Sequence, residues 1–309
     1  MNVVPTAPIP GSKTPSLPVA GLRFGWVIVF EPMPDSDRGH KRWMHFRPHM
    51  IACGRPMTTP AIRNRAVVLA AGLGSRLADG DLTPKPLREV AGLPLIVRII
   101  RALEKGGIRE IGIVIGYLGE DLQRGLSDYE HRAKLSFFPN DEYEKPNGTS
   151  VLKARDFVTG PTLLLMSDHL WSPGLLKSVA SYPVADRESV LGVDYRIDAC
   201  FDLDDATKVQ VRGDRIEQIG KELSDYNALD TGLFLITPAL IEALDRVNGP
   251  EGCSLSQGVA ALAADGRMKA ADIGAATWID VDTPEAHAEA ERLIAELGED
   301  LDGGAAVDH

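Results

Sequence analysis

The chain has 309 residues, 44% hydrophobic and 25% charged, enough for one large or two modest domains around a buried core. No stretch of about 18 consecutive apolar residues occurs, so the sequence offers no membrane-spanning helix. The net charge of −11 argues against general nucleic-acid binding, and three widely spaced cysteines (Cys53, Cys200, Cys253) give no disulfide framework and fit a reducing, cytoplasmic setting.

The charge is unevenly placed. Up to Arg65 there are nine Lys/Arg against three Asp/Glu, leaving 24 against 41 in the remainder. Residues 1–60 are Pro-rich and basic without periodicity, and read as an irregular extension or the product of a translation start assigned too early, with Met57 opening the domain. His40, His45, His49 and Cys53 have spacings that could align metal ligands on a helix, but Pro48 breaks that helix and the group reads as solvated surface.

From Ala66 the pattern becomes regular. Apolar, β-branched runs at 66–70, 111–115, 135–138, 162–166 and 189–193 read as strands. Helical segments are predicted over 94–104, 119–125, 149–157 and 173–182. Strand and helix in alternation imply right-handed βαβ units and a mixed, mostly parallel α/β sheet of Rossmann-like type, flanked by helices on both faces. The alternating stretch 207–220, turning at Arg212-Gly213-Asp214, reads as a small β-hairpin insertion. The strand "GLFLI" follows, then helices over 238–246 and 255–264, a short strand pair around 270–279, and an amphipathic helix over 284–297. The expected organisation is a domain over 61–298 and an acidic, glycine-rich tail over 299–309.

The segment "AVVLAAGLGSRLADGDLTPKPL" raises the functional question. Glycines directly after a strand suit a phosphate site, because backbone N–H groups can approach an anion where no Cβ intervenes. A dinucleotide fingerprint would need glycine at 77, where Leu77 stands, and no Gly-Lys-Ser/Thr follows for a P-loop. What remains is a turn carrying Ser75 and Arg76, then Lys85 held between two prolines. Arg76 and Lys85 would place two positive charges on triphosphate oxygens, where negative charge moves during transfer.

These residues resemble the nucleotidyltransferases that join an NTP to a phosphorylated sugar or alcohol. That group opens with L-A-A-G-x-G-[ST]-R-L and P-K-P-L, and the likeness extends over about residues 65–297. The resemblance implies the nucleotide-diphospho-sugar transferase, GT-A-like fold. It makes Arg76 and Lys85 catalytic, and assigns the nucleotide to Leu69, Ala70, Ala71, Gly72, Gly74 and Ser75. The turn "KPNGTSVLKAR" resembles the base-recognition element, through Asn147, Gly148 and Ser150, although "PNG" alone is an ordinary turn signal. Asp168, just past a strand in "MSDHLWS", matches the position of a Mg²⁺ carboxylate. The second ligand is Asp280 or Asp282 in "WIDVD", which alternation puts on one side of an extended segment.

The stretches 205–236 and 278–294 resemble the CTP:inositol-1-phosphate cytidylyltransferases, with their S-D-H, A-T-K, I-G-K-x-L and D-T-G patterns. That subgroup implies CTP and inositol 1-phosphate as substrates and Mg²⁺ as cofactor. It assigns His169, Lys221, Asp230 and Thr231 to the acceptor. His169 reads equally as a strand-end residue, and Lys221 without the resemblance as a solvated hairpin charge. Members are often fused to a membrane CDP-alcohol phosphotransferase, and this chain is expected to stand alone and supply a separate one. Asp202, Asp204 and Asp205 lack the glycine and glutamate of a calcium loop and read as surface acids. Other NTP and acceptor pairs, phosphocholine included, are the nearest alternatives, and a glycosyltransferase of related fold is a more distant one.

Overall fold

The computed structural model describes residues 64–73 and 83–298. The expectations for the 1–60 extension, its histidine cluster and the 299–309 tail lie outside these residues, as do Gly74, Ser75 and Arg76. In chain order the elements are β1 (Arg65–Ala70), β2 (Glu89–Val90), β3 (Leu93–Pro94), α1 (Leu95–Lys105), β4 (Glu110–Ile115), α2 (Gly119–Leu126), β5 (Lys134–Pro139) and α3 (Gly148–Lys153). They continue with β6 (Thr162–Met166), β7 (His169–Trp171), α4 (Pro173–Ser181), β8 (Ser189–Asp194), β9 (Lys208–Arg212), β10 (Arg215–Gly220) and β11 (Ala228–Ile236). The last five are α5 (Pro238–Val247), α6 (Leu255–Ala264), β12 (Met268–Asp272), β13 (Trp278–Asp280) and α7 (Pro284–Leu297).

Nine strands form one mixed sheet in the order β5-β4-β1-β6-β11-β8-β12-β10-β9. β5, β4, β1 and β6 are mutually parallel, as the alternation of strands and helices predicts. β11 runs antiparallel to both β6 and β8, while β12 is parallel to β8. The reversal follows from the β9–β10 hairpin, which sends the chain back across the sheet before β11. The helix expected over 149–157 ends as α-helix at Lys153 and continues as a 3₁₀ turn over Arg155–Phe157. The strand pair expected around 270–279 does not pair with itself. β12 joins the large sheet, and β13 pairs antiparallel with β7 in a separate two-stranded ribbon.

Strand alternation explains how the sheet holds a core on each face. Val67 and Leu69 of β1 join Leu164, Leu191, Phe234 and residues of α3, α5 and α6. Ala66, Val68 and Ala70 point the other way, onto α1, α2 and α4. Strands buried on both faces need unbroken apolar runs, and "AVVLA" is one. A third, smaller cluster (Val90, Leu95, Leu170, Ile279, Val281, Ala290, Ile294) packs the β7–β13 ribbon against α7 and the β2–β3 hairpin. Helix starts follow local chemistry. Thr237 and Thr283 cap α5 and α7 ahead of a proline, and Ser254 with Gln257 forms a capping box on α6.

Candidate active site

The topology gathers functional side chains at one end of the sheet. β6 and β8 end there, carrying Asp168 just beyond β6 and Asp194 as the last residue of β8. Because β11 is antiparallel, its beginning rather than its end lies there, with Asp230 opposite Val193. The register of β11 against β8 shifts between Asp230 and Phe234, and Gly232 within this irregularity has φ of +69°. A bulge of this kind re-aims side chains. Asp230 lines a cleft of about 660 Å³, whereas Thr231 turns into the interior.

Lys85 opens the 3₁₀ turn Lys85–Leu87 between the two prolines, and its ammonium donates to Asp168 Oδ2 at 2.8 Å. The other oxygen, Oδ1, lies 2.9 Å from His169 Nδ1, which is also 3.6 Å from Asp280 Oδ1. Burial alone would raise the Asp168 carboxyl, but Lys85 and His169 outweigh it and hold the group well below the usual carboxylate range. Burial alone would lower His169, yet Asp280, Asp168 and Asp230 raise its pKa to about 9. Burial drives Asp280 upward, with Asp168 and Asp282 adding to it and His169 opposing. Asp230 is pushed up to about 6 by burial, against the N–H of Gly232 that it accepts at 2.8 Å.

These shifts describe a crowded set of carboxylates. Ligand atoms of Asp168, His169 and Asp280 lie within 4.8 Å of one another, as do those of Asp205, Asp280 and Asp282. Asp280 Oδ1 is buried with no hydrogen-bond partner, an expensive arrangement for an ionised oxygen. A mainly carboxylate donor set suits a hard divalent cation, so the residues fit a metal site. The backbone keeps them together, since Val281 N–H donates to the Asp168 carbonyl at 2.7 Å, between Asp280 and Asp282.

The other predicted residues divide. Leu69, Ala70 and Ala71 are buried at the end of β1, and Gly72 is exposed in the bend after it. Asn147 reaches the cleft, where its Oδ1 accepts the N–H of Leu255 at 2.9 Å and joins α3 to the start of α6. Gly148 and Ser150 lie beneath it. A Cβ on Gly148 would come within 2.6 Å of the Cys253 carbonyl oxygen, and Ser150 Oγ accepts from Asn140 at 2.9 Å. Lys221 lines the cleft and pairs with Asp205 at 2.6 Å. Thr231 is fully buried and does not reach the cleft. Its hydroxyl donates to the Gly192 carbonyl and its own carbonyl accepts from Trp171 Nε1.

Two residues that the sequence reading did not assign to the site line the same cleft. Asp205, read as a surface acid, faces the cleft as the partner of Lys221 and neighbour of Asp280 and Asp282. Asp194 is buried, holds the Arg196 guanidinium through two hydrogen bonds at 3.0 and 2.9 Å and the Arg196 backbone N–H at 2.8 Å, and accepts from Trp278 Nε1 at 2.9 Å. Only the strand-end position of Asp194 hinted at this.

Residues 66–199 match the sequence model of a family described as the MobA-like NTP transferase domain. A bifunctional IPC transferase and DIPP synthase of Rubrobacter xylanophilus is 38% identical over 227 residues, covering 71% of this chain and 49% of that protein. This chain spans about half the length of the curated relatives bearing that name. A 2-aminoethylphosphonate cytidylyltransferase of Lancefieldella rimae is 33% identical over 178 residues, 55% of this chain and 65% of that protein. The solved structure of the inositol-1-phosphate CTP transferase from T. maritima superposes with a TM-score of 0.67 at 28% identity, covering 78% of this chain and 98% of that one.

Proposed function

On the match of residues 66–199 to the model of the MobA-like NTP transferase domain, we propose that the chain joins CTP and inositol 1-phosphate to give CDP-inositol and pyrophosphate. The observation that carries this reading is the contact of Lys85 with Asp168 across 83 residues, in a group that also holds His169 and Asp280. In the reaction a phosphate oxygen of the acceptor bonds to the α-phosphorus of CTP in line, and the bond from that phosphorus to the β-phosphate oxygen breaks. A phosphate monoester loses its second proton near pH ~6, so the acceptor arrives largely as a dianion and needs no general base. The protein's task is to hold two anions together and neutralise charge as it shifts.

Lys85 supplies a nearly buried positive charge at the triphosphate, and Arg76, which lies outside the described residues, is assigned the same task. Leu69, Ala70, Ala71, Gly72, Gly74 and Ser75 frame the nucleotide, and Asn147 with Gly148 and Ser150 builds the base end. Lys221 and Asp230 serve the acceptor, and His169 is assigned to the same region. Asp168, Asp280 and Asp282 would hold Mg²⁺, which when bound neutralises phosphate charge as a Lewis acid. We place the enzyme in the cytoplasm, with its product passing to a membrane CDP-alcohol phosphotransferase.

Pyrophosphate release measured over four NTPs and a panel of acceptors tests the assignment. CTP with inositol 1-phosphate should turn over best. If that pair is inert while CTP with phosphocholine, an aminoalkylphosphonate or a sugar 1-phosphate reacts, the acceptor is wrong and the class stands.

A further inference from the structure

His169, Trp171 and Trp278 bring three rings together on the β7–β13 ribbon. His169 and Trp171 are two apart on β7 and so share a face, and Trp278 pairs with Trp171 across the ladder. The imidazole lies 5.7 Å from the Trp171 ring at 24° and 6.0 Å from the Trp278 ring at 11°. Each indole is held from behind, Trp171 by the Thr231 carbonyl at 2.7 Å and Trp278 by Asp194 at 2.9 Å. The far edge of the imidazole abuts β11. A Cβ on Gly232 would sit 2.7 Å from its Cδ2 and 2.8 Å from its Nε2. With that edge against backbone, the ring has one direction left for Nδ1, toward Asp168 and Asp280.

We infer that Trp278, anchored by Asp194, is a positioning residue that orients His169 so that one imidazole holds Asp168 and Asp280 together for a divalent cation. This rests on the proposed metal site and gives His169 a task other than touching the acceptor. Two carboxylates repel each other, and an imidazole that bonds Asp168 at 2.9 Å and faces Asp280 at 3.6 Å sets their spacing before any cation arrives. Stacking of aromatic rings is weak per pair, but here it selects one ring plane, and indole N–H bonds fix the stack in place. Asp194 also holds Arg196, so the Arg196–Asp194–Trp278–His169 chain of contacts runs from a cleft-lining guanidinium to the carboxylates.

The test is direct Mn²⁺ binding to the full chain by electron paramagnetic resonance, without substrates, followed by steady-state kinetics. Trp278→Ala should weaken Mn²⁺ about tenfold, the scale on which residues supporting metal ligands act. It should raise the metal concentration needed for half-maximal rate while leaving the acceptor KM within about twofold, and Trp278→Phe should restore most of the affinity by restoring the ring plane. Asp194→Leu, which removes the acceptor of the indole N–H, should fall between them. An unchanged Mn²⁺ affinity in Trp278→Ala overturns the inference. So does a shift confined to acceptor KM, which would make Trp278 an acceptor platform. Should Trp278→Ala fail to fold, Mn²⁺ affinity equal to wild type in Asp194→Leu, which has no acceptor for the indole N–H, overturns it instead. If the wild type turns over no CTP with inositol 1-phosphate, the substrate reading fails, while the Mn²⁺ comparison still decides the clamp.

Discussion

Replacing Lys85 with methionine keeps the length of the side chain and removes its charge, which isolates what the ammonium does. In the structure that charge lies 2.8 Å from Asp168 Oδ2, with the side chains 11% and 30% exposed. At an effective dielectric of about 20, two unit charges at this separation attract by about 6 kcal/mol, an upper limit that desolvation reduces. Asp168 retains His169 at 2.9 Å, so the folded state should lose only about 1–2 kcal/mol. The loss in the transition state should be larger, because the task proposed for Lys85 is to neutralise charge that shifts onto the phosphates during transfer. Removal of one fixed charge stabiliser costs about 2.7–4 kcal/mol, equivalent to a fall in kcat/KM of about 100-fold or more. Pyrophosphate release at saturating Mg²⁺, with urea unfolding of the same preparation, separates the two effects. A folded Lys85→Met enzyme within about threefold of wild type would refute the assignment, and so would full recovery at high Mg²⁺, which would reduce Lys85 to a spacer for Asp168.

Arg76→Ala should also lower kcat/KM about 100-fold, with CTP KM and kcat measured separately to locate the loss. Asp168→Ala should abolish the Mg²⁺ response, and a variant that still titrates with Mg²⁺ would move the metal elsewhere. Asp230 is raised to about 6 in the folded chain from an ordinary 3.8, so the native state binds more protons between these values and stability falls as pH rises through that window. Asp230→Asn should flatten the dependence between about pH 4 and 6 and stabilise the protein by about 1–2 kcal/mol at pH 8, while raising the acceptor KM. Urea midpoints across pH, alongside inositol 1-phosphate kinetics, measure both.

What the sequence made legible was whatever a short window encodes. The run "AVVLA" announces a strand buried on both faces, Thr283-Pro284 announces a helix start, and Asp168 is recognisable because it follows a strand and precedes His169. The paired positions of Asp280 and Asp282 follow from alternation alone, and both line the cleft. What stayed hidden depends on contacts between distant segments. Asp205 resembles any surface acid until the hairpin brings Lys221 to it 16 residues later. Gly148 looks like a turn glycine, and the backbone of Cys253 and Ser254 with the Leu244 side chain explains its lack of a side chain. Thr231 beside Asp230 looks equally available, but the irregularity in β11 sends the two in different directions.

The ribbon of β7 and β13 carries one more consequence. Its ladder has three pairs, Trp278 with Trp171, Ile279 with Leu170 and Asp280 with His169. A slip of one residue would carry Asp280 to the opposite side and offer Ile279 to the imidazole instead, since side chains alternate. What forbids the slip is apolar: Leu170, Ile279 and Val281 are each 3% exposed or less and pack into the third cluster with α7. The alignment of the charged groups is therefore enforced by greasy neighbours that never meet a phosphate. Trimming Ile279 to alanine should blur metal binding without touching any of the proposed ligands, so the alignment of the charged groups is set by how tightly α7 closes over the ribbon.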